Sequence, residues 1–298
     1  MFRFPNYGSW IPLKSFSLIL LYGLLTACSG PTSTKPNTTY EDHPGTFKTV
    51  VKRYPGNQID GYNLYLPPAY ETQKDTAFPL IVFLQGGMGV GGEVRNILKW
   101  ELPKELLETT DLSTDLAQLK LNTFIYVMPH ISQGEYYQSV AGMLQLLDEI
   151  QQNYRVDSKR VYLTGLSRGG YGTWGLASKM PERFAAVAPI AGAAYGVRDY
   201  EALFSLPMWV AHNVADATVD HYRSANAVQR IEAMSDISFH RSSNIAEVDY
   251  LMHDHIFTSG SNPSFEHDAW TEVYNEPNFY KWLLRFERKV EVDELVDQ

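Results

Sequence analysis

Val161-Tyr162-Leu163-Thr164 runs directly into Gly165-Leu166-Ser167-Arg168-Gly169-Gly170, and Tyr171-Gly172-Thr173-Trp174-Gly175-Leu176-Ala177 follows. The first four residues read as a buried strand and the last seven as a helix despite their glycines. A Gly-x-Ser-x-Gly string is common by chance; its weight here comes from the strand–turn–helix setting that a nucleophile elbow demands. A serine forced onto so sharp a turn needs small neighbours, so Gly165 and Gly169 would let adjacent backbone pass close. The helix N-terminus behind the serine favours negative charge there. Ser167 is therefore the candidate nucleophile. A phosphate-cradling glycine loop and an ordinary tight turn compete with this reading. What favours the nucleophile is that the remaining parts occur in the expected order along the chain.

Working outward, Pro79–Leu84 is a continuous apolar run, as expected for a strand buried on both faces. Thr123–Met128 and Arg160–Thr164 repeat the pattern, and Val187–Ile190 and Met208–Ala211 continue it. Before them, Phe47–Tyr54 and Gly61–Leu66 read as antiparallel strands ending at Pro67-Pro68. Gln138–Tyr154 reads as a helix, because Val140, Met143, Leu144, Leu147, Ile150 and Tyr154 recur at spacings of three and four. Strands interleaved with helices imply an α/β fold with a mostly parallel sheet and helices on both faces. Sites in such sheets form at the C-terminal ends of the strands.

Two further strand ends carry candidate chemistry. Leu84-Gln85-Gly86-Gly87-Met88-Gly89 closes one, and its backbone N–H groups could face a reacting carbonyl. The expected oxyanion donors are the N–H groups of Gly87 and Arg168, with Gly86 as the alternative to Gly87. Pro207-Met208-Trp209-Val210-Ala211-His212 closes the other, and Asn213-Val214-Ala215-Asp216 leaves it. Asp216 is placed to fix the tautomer of an imidazole. Asp220 competes, but it immediately precedes the predicted Tyr222–Met234 helix and reads better as part of its N-cap region. His253 and His255 close a strand-like run, Val248–Met252, whereas His267 stands before Asp268-Ala269-Trp270-Thr271, the opening of the last helical stretch. Both His255 and His267 satisfy the order Ser…Asp…His, so spacing leaves the base open.

These segments together resemble the bacterial predicted-peptidase/esterase group of α/β-hydrolases, akin to phospholipase/carboxylesterases, feruloyl esterases and polyhydroxybutyrate depolymerases. The resemblance covers roughly residues 60–285. It rests on Tyr65-Leu66-Pro67-Pro68, Pro79 to Gly87, Gly165 to Trp174, Pro181-Glu182-Arg183-Phe184, the His212-to-Asp216 loop and His267-Asp268-Ala269-Trp270-Thr271. The last string is similar to the family's Gly-His-Asp-x-Trp ending, which implies His267 as the base. The resemblance implies an α/β-hydrolase fold and ester cleavage through an acyl-enzyme by Ser167, Asp216 and His267, with no cofactor and no metal. The chain departs from the family at three places. Gln85 stands where His is usual, Arg168 where Met is common, and a long segment from about His253 to Glu266 precedes His267.

A serine peptidase of the prolyl-oligopeptidase kind is the alternative reading of the same triad, although the chain has no room for a gating propeller. A non-catalytic binding lipoprotein on this fold is a third, and it would show a missing triad residue. Tyr136, Tyr137 and Tyr171 could line a pocket for an aromatic or sugar-linked ester, or could be core. The Arg168 side chain could bind a substrate carboxylate or sugar hydroxyl, or pair with an acid of the protein.

The formal net charge of −9 over 298 residues argues against nucleic acid, which requires a basic face. The single cysteine can make neither an internal disulfide nor a thiolate metal cluster. Arg3 and Lys14 precede an apolar run, Phe16–Leu25, and Leu25-Thr26-Ala27-Cys28 follows at once. The run is too short for a mature membrane span. The string is similar to a bacterial lipobox, which would make Cys28 a lipidation site. The expected organisation is a lipoprotein signal peptide over 1–27 and a flexible tether over 28–46. A catalytic domain over 47–288 and an acidic tail over 289–298 follow. Ser29 after the cysteine points to a cell-envelope location at the outer membrane, with the partners being a membrane and a small-molecule or polysaccharide-linked ester.

Overall fold

The computed structural model describes residues 43–56, 58–242 and 266–288, together with the backbone of 253–258. Cys28, the 1–27 signal segment, the 289–298 tail and nearly all of the 28–46 tether lie outside the described residues. Among the described residues nine strands form one sheet: β1 Thr46–Val51, β2 Ile59–Leu66, β3 Phe78–Leu84, β4 Ile125–Ile131, β5 Val156–Leu166, β6 Ala186–Ile190, β7 Met208–Asn213, β8 His240–Ser242 and β9 His253–Thr258. Their order is β1-β2-β4-β3-β5-β6-β7-β9-β8. The β1–β2 and β2–β4 pairs are antiparallel, and every other pair is parallel.

Eight α-helices among the described residues accompany the sheet: α1 Pro68–Thr72, α2 Glu101–Glu108, α3 Asp115–Asn122, α4 Val140–Asn153, α5 Arg168–Ala177, α6 Tyr222–Met234, α7 Trp270–Tyr274 and α8 Pro277–Leu283. The continuous apolar strands are explained by two cores, one on each face. Leu80, Val82 and Leu84 of β3 pack with Met143, Leu147 and Ile150 of α4 and with Trp174 of α5. The alternate residues Ile81 and Phe83 face the other way, toward Leu102 of α2, Leu121 of α3 and Phe279 and Trp282 of α8. On that second face Trp209 of β7 meets Phe279 and Trp282 edge-on. The period-two alternation of a strand thus serves two apolar layers at once.

Several expected boundaries shift. The expected strand Thr123–Met128 is observed as Ile125–Ile131, and all seven residues are buried. Proline is rare inside a sheet, yet β4 continues through Pro129, which lies opposite Tyr62 of β2. Strand β5 begins at Val156, earlier than expected, because its polar, partly exposed start pairs with Phe78 before the register jumps to Leu80–Val161. The run Val248–Met252, expected to close at His253 and His255, lies outside the described residues. Strand β9 begins at His253 and pairs with β7, while 243–252 lie outside the described residues.

The parallel register decides where chemistry can sit. Leu84 lies opposite Gly165, Leu166 opposite Ile190, and Ile190 opposite Ala211. The segments after β3, β5 and β7 therefore leave the sheet at one edge, that of the C-terminal strand ends.

Candidate active site

Ser167 occupies the turn between β5 and α5 with φ 52° and ψ −115°, a left-handed conformation that costs a non-glycine residue on the order of 1–3 kcal/mol. Its neighbours explain how the turn closes. A Cβ on Gly169 would lie 1.9 Å from the Leu84 carbonyl oxygen, and one on Gly165 would lie 2.7 Å from Leu84 Cβ and from the Gly169 backbone. The end of β3 therefore passes directly against the elbow, as the two glycines suggested. The Ser167 N–H donates to the Ile190 carbonyl at 2.9 Å, which fixes the turn to β6.

His267 reaches this serine from exactly 100 positions along the chain: its Nε2 lies 2.8 Å from Ser167 Oγ. Its Nδ1 lies 2.6 Å from Asp216 Oδ2. The Trp270 ring stands edge-on to the imidazole at 5.2 Å. With its proton on Nδ1, donated to the carboxylate, His267 presents the Nε2 lone pair to the serine hydroxyl. The structure brings together all three residues proposed from the sequence. Asp220 is elsewhere: its carboxylate accepts from the Tyr222 N–H at the start of α6, in the capping region expected for it. His253 and His255 stand opposite Met208 and Val210 in the β9–β7 register, upstream of the strand ends that carry the site.

Asp216 is buried and surrounded by donors. The Thr218 and Val219 N–H groups reach Oδ1 at 2.9 and 2.8 Å. His212 Nε2 lies 3.1 Å from Oδ2, the oxygen that also takes His267. Burial alone would raise this carboxyl, but the hydrogen bonds from His212, His267 and the Val219 N–H outweigh it and hold Asp216 well below the ordinary carboxylate range. His212 was not foreseen as part of the site. Fully buried at the end of β7, its Nε2 also faces the Val219 carbonyl at 2.8 Å and its Nδ1 the Ser224 hydroxyl at 2.9 Å.

On the other side of the serine, Gly87 opens a 3-10 turn, Gly87–Gly89, and Arg168 opens α5. Both hold the first position of a helical turn, where the N–H has no partner within the turn. The alternative, Gly86, faces the Glu101 carboxylate at 3.5 Å. Glu101 was also missed from the sequence. It has φ 55°, again left-handed, and its carboxyl is pushed up to about 7. Burial is the main cause, opposed by the Gly86 N–H and reinforced by the negative charge of Asp268. Gln85, the first departure from the family pattern, is buried, and neither atom of its amide has a hydrogen-bond partner among the described residues.

The Arg168 side chain takes the second of its two readings. It donates to the Gly134 carbonyl, and its Nε lies 3.3 Å from Glu135 Oε2, so it clamps the 134–135 turn to the elbow helix. Of its two readings, pocket or core, Tyr136 takes the second: it is fully buried and its hydroxyl donates to the Pro129 carbonyl at 2.9 Å. Tyr171 stays half-buried and leans on exposed Tyr195, with ring centroids 5.4 Å apart.

A solved structure described as a thermostable esterase superposes with a TM-score of 0.61 at 21% identity, covering 82% of this chain and 64% of that one. The fold is that of the α/β-hydrolases. Within this fold, residues 131–242 match the esterase family model, whose description reads "Putative esterase". Poly(3-hydroxyalkanoate) depolymerase C of Paucimonas lemoignei is 45% identical over 63 residues, 21% of this chain and 14% of that protein. The bifunctional acetylxylan esterase/xylanase XynS20E of Neocallimastix patriciarum is 33% identical over 75 residues, 23% of this chain and 11% of that protein. The matched stretches thus span a small part of either curated relative.

Proposed function

We propose that this α/β-hydrolase is a serine hydrolase that cleaves carboxylic esters. The observation that carries the reading is the hydrogen-bonded chain from Asp216 through His267 to the strained Ser167. In the proposed reaction His267 Nε2 takes the serine proton as Oγ attacks the ester carbonyl. Asp216, an ionised carboxylate, stabilises the imidazolium that forms. The tetrahedral oxyanion is held by the N–H groups of Gly87 and Arg168; loss of one such donor typically costs about 2.7–4 kcal/mol. His267 then returns the proton to the leaving alcohol, and water, deprotonated by the same imidazole, releases the acid. Each step uses groups of the chain alone.

The relatives named above supply the substrates to try. A panel of acetyl, butyryl, feruloyl and hydroxybutyrate esters, set against peptide amides of similar size, tests the reading directly. The expected result is ester turnover well above amide turnover. A fluorophosphonate should label the wild type and fail to label Ser167→Ala. Absence of labelling in the wild type would refute the serine-hydrolase reading, and faster turnover of amides would replace the esterase with a peptidase.

The lipobox-like string Leu25-Thr26-Ala27-Cys28 supports a further element of the proposal, a lipid anchor on Cys28. Several acyl chains on one residue would hold the protein firmly, since each buried CH₂ contributes about 0.8 kcal/mol. Cys28→Ala should then abolish acylation and stop signal cleavage at that residue. Recovery of the wild type without detergent would exclude the anchor.

A further inference from the structure

Arg168 is committed to Glu135 and Gly134, but two other guanidiniums beside the site have no such partner. Arg223 and Arg230 lie on α6, and among the described residues neither makes an ion pair, whereas Arg160, Arg183 and Arg241 all do. Each is held against a tyrosine instead. The Arg223 guanidinium sits 5.1 Å from the Tyr195 ring centroid, and that of Arg230 sits 4.7 Å from the Tyr200 ring centroid. Together with Asn226 these four side chains line a cleft of about 230 Å³.

The cleft is close to the nucleophile. Tyr171 follows Ser167 by one turn of α5, leans on Tyr195 with the rings tilted by 58°, and has its hydroxyl within the field of both Arg223 and Asp216. Its volume is below the roughly 300–1,000 Å³ of a complete ligand pocket, so it suits one substituent of a larger substrate. An arginine held over a ring still has a fork of N–H donors that matches a carboxylate. Arg223 also stands in the first turn of α6, where the helix dipole favours an anion. In a chain of net charge −9, two unpaired cations converging on one cleft call for an anionic occupant.

We infer that this cleft is a carboxylate subsite, and that the preferred substrates are esters carrying a second, ionised carboxyl group. The inference rests on the esterase reading above and specifies its substrate class. Arg223 and Arg230 bind the carboxylate and Tyr171 and Tyr195 form the wall between it and Ser167.

Two esters of matched length separate the possibilities: the 4-nitrophenyl half-ester of succinic acid and 4-nitrophenyl pentanoate. The wild type should prefer the half-ester, and rising salt should erode the preference. In Arg223→Gln/Arg230→Gln the ratio of kcat/KM, acidic over neutral, should fall roughly ten- to a hundredfold, the weight of one or two charge-assisted hydrogen bonds. An unchanged ratio overturns the subsite while leaving the esterase intact. If the wild type hydrolyses neither ester, the esterase reading is what fails. The subsite is then judged by titrating the half-ester into Ser167→Ala, with and without the two arginine changes. Weaker binding without the arginines supports it, and equal binding overturns it.

Discussion

Two buried histidines in this molecule each hold a carboxylate through Nδ1, His267 on Asp216 at 2.6 Å and His130 on Asp60 at 2.5 Å. They differ in what the other nitrogen meets. His267 Nε2 faces the Ser167 hydroxyl, a group with a proton to give. His130 Nε2 faces the Gly91 carbonyl at 3.2 Å, which can only accept. The first pair can move a proton; the second ties β4 to β2 and to the glycine loop after β3. A His–Asp pair is thus not by itself a sign of catalysis. Chemistry comes from the third partner and from the strained turn that presents it.

The largest expected effect breaks this comparison if it is wrong. Ser167→Ala, His267→Ala and Asp216→Asn should each lower kcat by about 10³-fold or more, because such residues act as a unit. His130→Gln should leave kcat within a few-fold but cost about 1–3 kcal/mol of stability, through buried acceptors left unpaired. Denaturant unfolding and steady-state kinetics on the same variants read both quantities. A kcat loss in His130→Gln as deep as in His267→Ala would erase the distinction drawn between the two pairs.

The two pairs were not equally legible. Ser167 could be read because its signal is local: strand, Gly165-Leu166-Ser167-Arg168-Gly169, helix. Asp216 followed from its place just past an apolar strand. The base was different. His255 and His267 satisfied the same order, and only the resemblance of His267-Asp268-Ala269-Trp270-Thr271 to a family ending separated them. The contact itself joins residues 51 positions apart, which no local pattern encodes. The sheet was legible as a series of apolar runs, but β4 was cut short at Pro129, whose missing N–H is a poor guide when its neighbours are all buried. Tyr136 stayed open between pocket and core because sequence cannot tell a buried tyrosine with a satisfied hydroxyl from an exposed one. His212 had a signal that went unused: a polar residue ending a fully buried strand must find hydrogen-bond partners. Glu101 had none, since nothing in its neighbourhood marks a left-handed backbone.

His212 sharpens the comparison at an intermediate scale. It shares Asp216 Oδ2 with His267 but lies behind the carboxylate, with no contact to the serine hydroxyl among its described hydrogen bonds. It is a positioning residue. His212→Asn should lower kcat about tenfold, as small misplacements of a catalytic group do, with KM nearly unchanged. A lower melting temperature with kcat unaltered would reduce His212 to packing.

The smallest expected effect concerns the other carboxyl beside the serine. Asp216 and Glu101 are both partly or wholly buried, yet they shift in opposite directions, because Asp216 is met by four donors and Glu101 chiefly by one weak one, the Gly86 N–H at 3.5 Å. Burial therefore prevails at Glu101 and pushes its carboxyl from the ordinary 4.5 up to about 7. A carboxyl raised in the folded state binds its proton more tightly there than in the unfolded chain. Folding stability must then fall as pH rises from about 4.5 to about 7 and stay reduced above that range. Glu101→Gln removes the ionisation and keeps the shape. It should leave stability unchanged at pH 4 and raise it at pH 8. The ceiling is about 3 kcal/mol, reduced by the partial solvent access of the side chain. In a domain of this size that is a gain of a few degrees in melting temperature at the higher pH alone. Melting curves of the two proteins at pH 4, 6 and 8 measure it. An offset that is the same at all three values would mean that Glu101 ionises like a surface glutamate, and the contrast between the two carboxyls flanking Ser167 would be lost.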